Sequence, residues 1–268
     1  MARVKGIMQV AGSLKGVSMY TIRGSEEVIM RTKGGPSKKT IATSDSCKKV
    51  RQNSTEWSGC TKAASSIRRS VEPLTRVADY NVMGGLNALT KKIQCMDIEH
   101  EPGERYVWIS RNRSFLPGFD FNRTNPFDRV IRVSPTGQID RDAVSGTVTI
   151  PAFDPVRHLV APNNLPLMRW VVTLGVATDV VMDAEKGGYT QVNTLLSGAH
   201  KEVCSEWYPV KRALPEQTIG TEMGEIAAKL TENDTLVLCI GVEFGTLDTN
   251  GEGEAVKYAG CGKTIEAR

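Results

Sequence analysis

The first thirty-five residues constrain this chain most, because they break into short alternating segments separated by glycine. Residues 4–10, 17–22 and 28–33 alternate in side-chain character, and Gly12, Gly16, Gly24, Gly34 and Gly35 punctuate them. Such a pattern reads as strands joined by tight turns. Segments 17–22 and 28–33 flank Arg23-Gly24-Ser25-Glu26 and are expected to form a β-hairpin, with residues 4–10 as a third strand. Three strands with about five large apolar side chains enclose no core, and a small isolated sheet is marginal in water. This arm is therefore expected to lean on another surface.

Thr43-Ser44-Asp45 is a helix N-cap signal. Beyond it Val50, Trp57, Ala64 and Val71 recur every seven residues, and Cys60, Ile67 and Leu74 form a second series offset by three. The two series predict a helix from about residue 44 to residue 70 with one apolar seam, along which Cys60, Ala63 and Ala64 allow close approach. Pro73 ends or kinks it, and Val82, Leu86, Leu89, Ile93 and Met96 mark a second seam. An antiparallel helical hairpin with its elbow at residues 71–81 is the simplest arrangement.

From residue 101 onward the pattern changes to β-rich runs separated by Gly, Pro, Asn and Asp: 105–110, 129–134, 144–150, 167–182, 201–212, 235–247 and 255–265. Alternation is clean in 144–150, whereas 170–176 has the dense apolar pattern of a central strand. Residues 224–230 read as a short helix or an edge segment. The fold class expected is α+β, with a basic β-arm at 1–40, a helical hairpin at 41–100 and an immunoglobulin-like β-sandwich at 101–268.

The chain has 268 residues, 40% of them hydrophobic and 24% charged, which suits a folded protein with a sizeable core. The longest apolar run, residues 170–177, falls far short of the roughly 20 residues needed to span a bilayer. No secretory apolar stretch follows the basic start, so a cytoplasmic location is expected. Six cysteines, Cys47, Cys60, Cys95, Cys204, Cys239 and Cys261, lie far apart without a CxxC spacing and read as free thiols.

Charge is unevenly spread. Residues 1–96 carry 17 Lys and Arg against 6 acids, a net +11, and residues 97–268 carry 17 against 24, a net −7. Opposite halves of this kind suit binding to a polyanion or head-to-tail contact between like subunits. The basic set includes Arg23, Arg31, Lys33, Lys38 and Lys39; Tyr20 and Trp57 are the only aromatics nearby and Trp57 belongs to the helix seam, so a nucleic-acid reading rests on charge alone.

The motifs for other chemistry fail on spacing. Gly260-Cys261-Gly262-Lys263-Thr264 ends like a phosphate-binding loop, but Lys257 stands where its first glycine belongs. His100, His158 and His200 lack a short metal-ligand spacing, and no GxSxG elbow occurs. Asp140 and Asp142 read as a solvated turn, and Asp120 and Asp128 are generic acids in an aromatic stretch. No cofactor and no metal are expected, and the chain is expected not to be an enzyme.

Gly12, Gly16, Tyr20 and Arg31-Thr32-Lys33-Gly34-Gly35 at the front, with residues 236–244 at the back, resemble a group of uncharacterised proteins from Bacteroidota. That group begins with a Gly-punctuated hairpin, continues into a helical pair and closes with a β domain. The resemblance implies the architecture and carries no activity.

Together these features lead to the expectation of a non-enzymatic structural protein that assembles with copies of itself. Its N-terminal arm would supply the interface through Val17, Met19, Tyr20, Ile22, Val28 and Met30, because a strand edge is a template for pairing with another chain. The alternative is a nucleic-acid-binding protein that uses the basic N-terminal half.

Overall fold

The computed structural model describes residues 2–4, 12–22, 27–32, 34–183, 185 and 187–268. The protein mixes α and β structure, with most of its ordered length in antiparallel strands. It divides into two compact units, Met1–Arg51 and Gln52–Arg268. Among the described residues no helix is long and apolar enough to cross a membrane.

The first unit holds four short strands, β1 (Ala2–Val4), β2 (Gly12–Leu14), β3 (Val17–Thr21) and β4 (Val28–Thr32), in the sheet order β1-β4-β3-β2. β3 and β4 pair antiparallel from Val17↔Thr32 to Thr21↔Val28. Arg23 and the rest of the expected turn, Lys33, and residues 5–10 of the expected third strand lie outside the described residues. A six-residue helix, α1 (Lys38–Thr43), follows; Ser37 caps it by accepting the Thr40 N–H at 3.1 Å. The Arg51 guanidinium closes its other end on the carbonyls of Ile41 and Ser44, at 2.7 and 2.8 Å.

Helix α2 (Lys48–Ser70), which enters the second unit at Gln52, and helix α3 (Val82–Cys95) lie side by side there. The Thr90 hydroxyl donates to the Cys60 carbonyl at 3.0 Å, and the Gln94 amide donates to the Glu56 carbonyl at 3.1 Å. Their seam is buried only in part. Cys60, Ala64, Ile67, Val71, Leu74, Leu86 and Ile93 are buried, but Val50, Trp57 and Met96, which the heptad spacing places on it, are exposed. Val50 and Met96 stand at the ends of their helices, and Trp57 lies within α2 but faces an open groove beside Met96 and Phe115 rather than the sheet.

The strands of the second unit are β5 (Thr136–Asp140), β6 (Ser145–Ile150), β7 (Leu167–Thr178), β8 (Val180–Asp183), β9 (Gly188–Gln191), β10 (His200–Cys204), β11 (Tyr208–Pro209), β12 (Gln217–Glu222), β13 (Asp234–Leu247), β14 (Gly253–Ala255) and β15 (Cys261–Ala267). β7 and β13 form the centre of a six-stranded sheet, paired from Asp234↔Thr178 to Gly245↔Leu167. Both are mostly apolar because both faces are covered. Trp170, Val172, Leu174, Leu236, Leu238 and Ile240 meet the three-stranded sheet β12-β6-β5, which brings Ile139, Val148 and Ile150 to a shared core. On the opposite face Val171, Ala177, Val237 and Cys239 meet the helices.

Glycine sets how closely the helical layer approaches. A Cβ on Gly175 would lie 1.7 Å from the Ser70 carbonyl oxygen, and one on Gly241 would lie 2.5 Å from Leu74. The end of α2 and the 3-10 turn Glu72–Arg76 therefore sit directly on the sheet backbone.

Two expected strands are absent. Residues 105–110 make a single bridge, Val107↔Val180, after which the Ser110 N–H and hydroxyl bind the Asp179 carboxylate at 2.8 and 2.5 Å. A carboxylate thus replaces a ladder. In 129–134, Asp120 accepts the Phe127 N–H at 2.8 Å and starts one helical turn, Phe127–Val130, which buries Phe127, Val130 and Ile131 at helical spacing. Conversely β5, β9 and β12 were not expected, being short, polar and glycine-containing. Residues 224–229 are a 3-10 helix.

Candidate assembly surface

Register sorts the side chains of the N-terminal sheet onto two faces, because residues directly opposite one another share a face. Leu14 lies opposite Val17, Met19 opposite Met30, and Thr21 opposite Val28. Leu14, Val17, Met19, Val28 and Met30 therefore form one apolar face. Tyr20 lies on the other with Ile29, and the Arg31 guanidinium stands over the Tyr20 ring at 5.6 Å. Of the residues expected at an interface, four come together, Tyr20 is separated from them, and Ile22 follows the end of β3 and is exposed.

This face has little cover. Val28 is buried, Val17, Met19 and Met30 are half-buried, and Leu14 is 72% exposed. Among the described residues of Met1–Arg51, the only other buried side chain is Cys47. Leu14 escaped the sequence reading because its three-residue strand is too short to show alternation; the turn at Lys15-Gly16, with Lys15 at φ 35°, was the available signal. Of the basic set, Arg31, Lys38 and Lys39 are exposed, and Arg23 and Lys33 lie outside the described residues.

Charged clusters in the second unit are closed structural networks. Glu243, 3% exposed, receives Arg76 Nε at 2.7 Å and Arg169 Nε at 2.7 Å, and Arg76 also pairs with Glu202. Burial alone would lower the Arg76 pKa, but the Glu202 hydrogen bond and the two carboxylate charges raise it above the ordinary value. Glu56 accepts from the Gly103 N–H at 2.9 Å and from Lys91 at 2.6 Å; these outweigh its burial and hold its pKa below the ordinary value. Burial pushes Asp179 up, against the hydrogen bonds from Ser110.

Asp97, Glu99 and His100 bring their ligand atoms together, yet each already has a protein partner. Asp97 accepts from the backbone of Tyr106 and Glu99 and contacts His100 Nδ1 at 2.8 Å, and Glu99 pairs with Arg111 at 2.9 Å. His158 and His200 lie elsewhere, each making a local backbone contact. Asp140 accepts the N–H groups of Asp142 and Ala143, which is a turn. Lys263 pairs with Asp128, and the glycine-rich run around it is strand β15.

The described residues of the second unit include two concave surfaces. Trp57, Ala88, Met96 and Phe115, with the stems of Lys91 and Lys92, line an apolar groove of about 620 Å³. A second cleft of about 470 Å³, of mixed polar and apolar lining, opens beside β10 and β12. Comparison with protein families, with characterised proteins and with solved structures finds no match.

Proposed function

We propose that the protein is a non-enzymatic structural protein that self-assembles into a filament, tube or shell through its N-terminal β-arm. The observation that carries this is the apolar face of Leu14, Val17, Met19, Val28 and Met30, of which Val28 alone is buried. A four-stranded sheet with so little core gains stability by covering that face, at roughly 25 cal/mol per Å² of apolar surface removed from water. The remainder of the chain serves as a scaffold, read as an immunoglobulin-like sandwich on the strength of two antiparallel sheets facing a common core. Light scattering on the full chain and on a variant lacking residues 1–35 tests the proposal. The full chain is expected to exceed the mass of one chain and the variant to equal it; one-chain mass for both overturns it.

A second reading, nucleic-acid binding, is favoured by the exposure of Arg31, Lys38, Lys39, Lys48 and Lys49 within one unit. Its affinity for DNA or RNA would fall steeply with salt. Absence of binding at low salt removes it.

A further inference from the structure

The six-stranded sheet ends differently on its two sides. On one side, residues 118–121 cover β15: the Gly118 N–H donates to the Thr264 carbonyl at 2.8 Å, the Thr264 N–H to Phe119 at 3.0 Å, and the Phe121 N–H to Gly262 at 2.9 Å. On the other side, β10 stands at the edge. Folded proteins usually cover or blunt such edges, because each is a row of open hydrogen-bonding groups.

The groups that are open on β10 follow from its ladder. Val176 N–H donates to the Ala199 carbonyl at 2.8 Å, and Ser205 N–H to the Trp170 carbonyl at 2.9 Å. In an antiparallel pair hydrogen-bonded positions alternate, so Lys201 and Val203 turn their backbone groups to β7. The N–H and C=O groups of His200, Glu202 and Cys204 then point away from the sheet, and among the described residues they have no partner.

The side chains add a second feature. Lys201 and Val203 lie opposite Leu174 and Val172 and share their face, toward the three-stranded sheet. There, with Gly146, Thr147, Gly220 and Thr221, they line the cleft of about 470 Å³. Thr221 is 5% exposed, and among the described residues its hydroxyl has no hydrogen-bond partner. An open edge beside a pocket is the arrangement used in strand addition, where main-chain bonds give affinity and the pocket takes alternate side chains.

Charge identifies the occupant. Residues 200–225, from the start of β10, carry five Glu against Lys201, Lys211 and Arg212, a net −2, and residues 1–40 carry eight Lys and Arg against two Glu, a net +6. Complementary fields of this kind steer and orient association. We propose that the N-terminal sheet of a second copy docks along the β10 edge and fills the adjoining cleft. This rests on the assembly reading above and names the acceptor it requires. A contact between arm and edge is head-to-tail, so it propagates into a ring or an open fibre.

Cys204→Pro tests the inference, because its N–H points away from β7 and proline is tolerated in edge strands at such positions. It should leave the thermal transition unchanged and weaken association about tenfold or more, the value of roughly one hydrogen bond. His200→Pro removes a second outward N–H and decides the matter if the first variant unfolds. Mixing Cys204→Pro, which keeps the arm, with the variant lacking residues 1–35, which keeps the edge, should give one-to-one pairs that do not grow. Loss of assembly on arm deletion, with wild-type assembly by both folded proline variants or no pairing in the mixture, overturns the edge inference and leaves the assembly reading standing. A monomeric full chain overturns both.

Discussion

The N-terminal unit and the unit Gln52–Arg268 are both largely antiparallel sheet, yet only one of them makes a core. β7 and β13 run for 12 and 14 residues and are covered on both faces. The strands β1 to β4 run for three to five residues, and Val28 is their one buried side chain among those described. The difference lies in strand length and in the presence of a second layer rather than in β propensity, since both sets are rich in β-branched and large apolar residues. Short strands with one buried side chain among the described residues are what the proposed assembly surface requires.

Core substitutions should separate the units most strongly. Trp170 is fully buried and packs edge-to-face on Phe153 with ring centroids 5.6 Å apart, so Trp170→Ala should cost about 3–5 kcal/mol in chemical denaturation. A loss below 1 kcal/mol would mean that the core around Trp170 does not hold the second unit together. Gly175→Ala comes next, at about 3 kcal/mol, the upper end for overpacking, because its Cβ would meet the backbone of Ser70 rather than a side chain that can turn aside. An unchanged midpoint would show that the helices do not sit on the sheet as closely as described.

A smaller effect, dependent on pH, comes from Glu56. Its folded pKa is below the ordinary glutamate value, so the carboxylate stabilises the fold above about pH 4.3 and loses that contribution as pH falls through the lowered value. Glu56→Gln should cost about 1.5 kcal/mol at neutral pH, the scale of one hydrogen bond to a charged group, and the gap should close below about pH 4. Urea titrations across that range would show it, and a gap independent of pH would remove the charge from the explanation.

How much of this was legible in sequence depends on what each residue needed as a partner. The dense apolar run around Trp170 marked β7, because a strand buried on both faces carries few polar residues. The seam of α2 was visible as well, but heptad spacing cannot say which seam positions the tertiary fold covers, and Trp57 and Met96 face an open groove. Tyr20 was grouped with Met19 although neighbouring residues on a strand face opposite ways, an error the period-two rule corrects without a structure. Strands β5 and β12 carry Gly137 and Gly220 and few apolar residues; Gly137 is required because a Cβ there would meet Ile265 at 2.6 Å, a partner 128 positions away in the chain. The open edge of β10 was illegible for the same reason, since an edge is defined by what does not pair with it.

The smallest expected effect sharpens the comparison from the other side. Helix α1 has six residues, too short to persist without its ends being held, and Ser37 holds its start through the Thr40 N–H. Ser37→Ala should cost about 1 kcal/mol, seen as faster amide hydrogen exchange at residues 40–43. The main thermal transition should not move, because that transition reports on cores to which α1 contributes no buried residue. If Ser37→Ala instead lowered that transition as far as Gly175→Ala does, the two units would unfold as one, and the contrast between a cored scaffold and a coreless arm would fail.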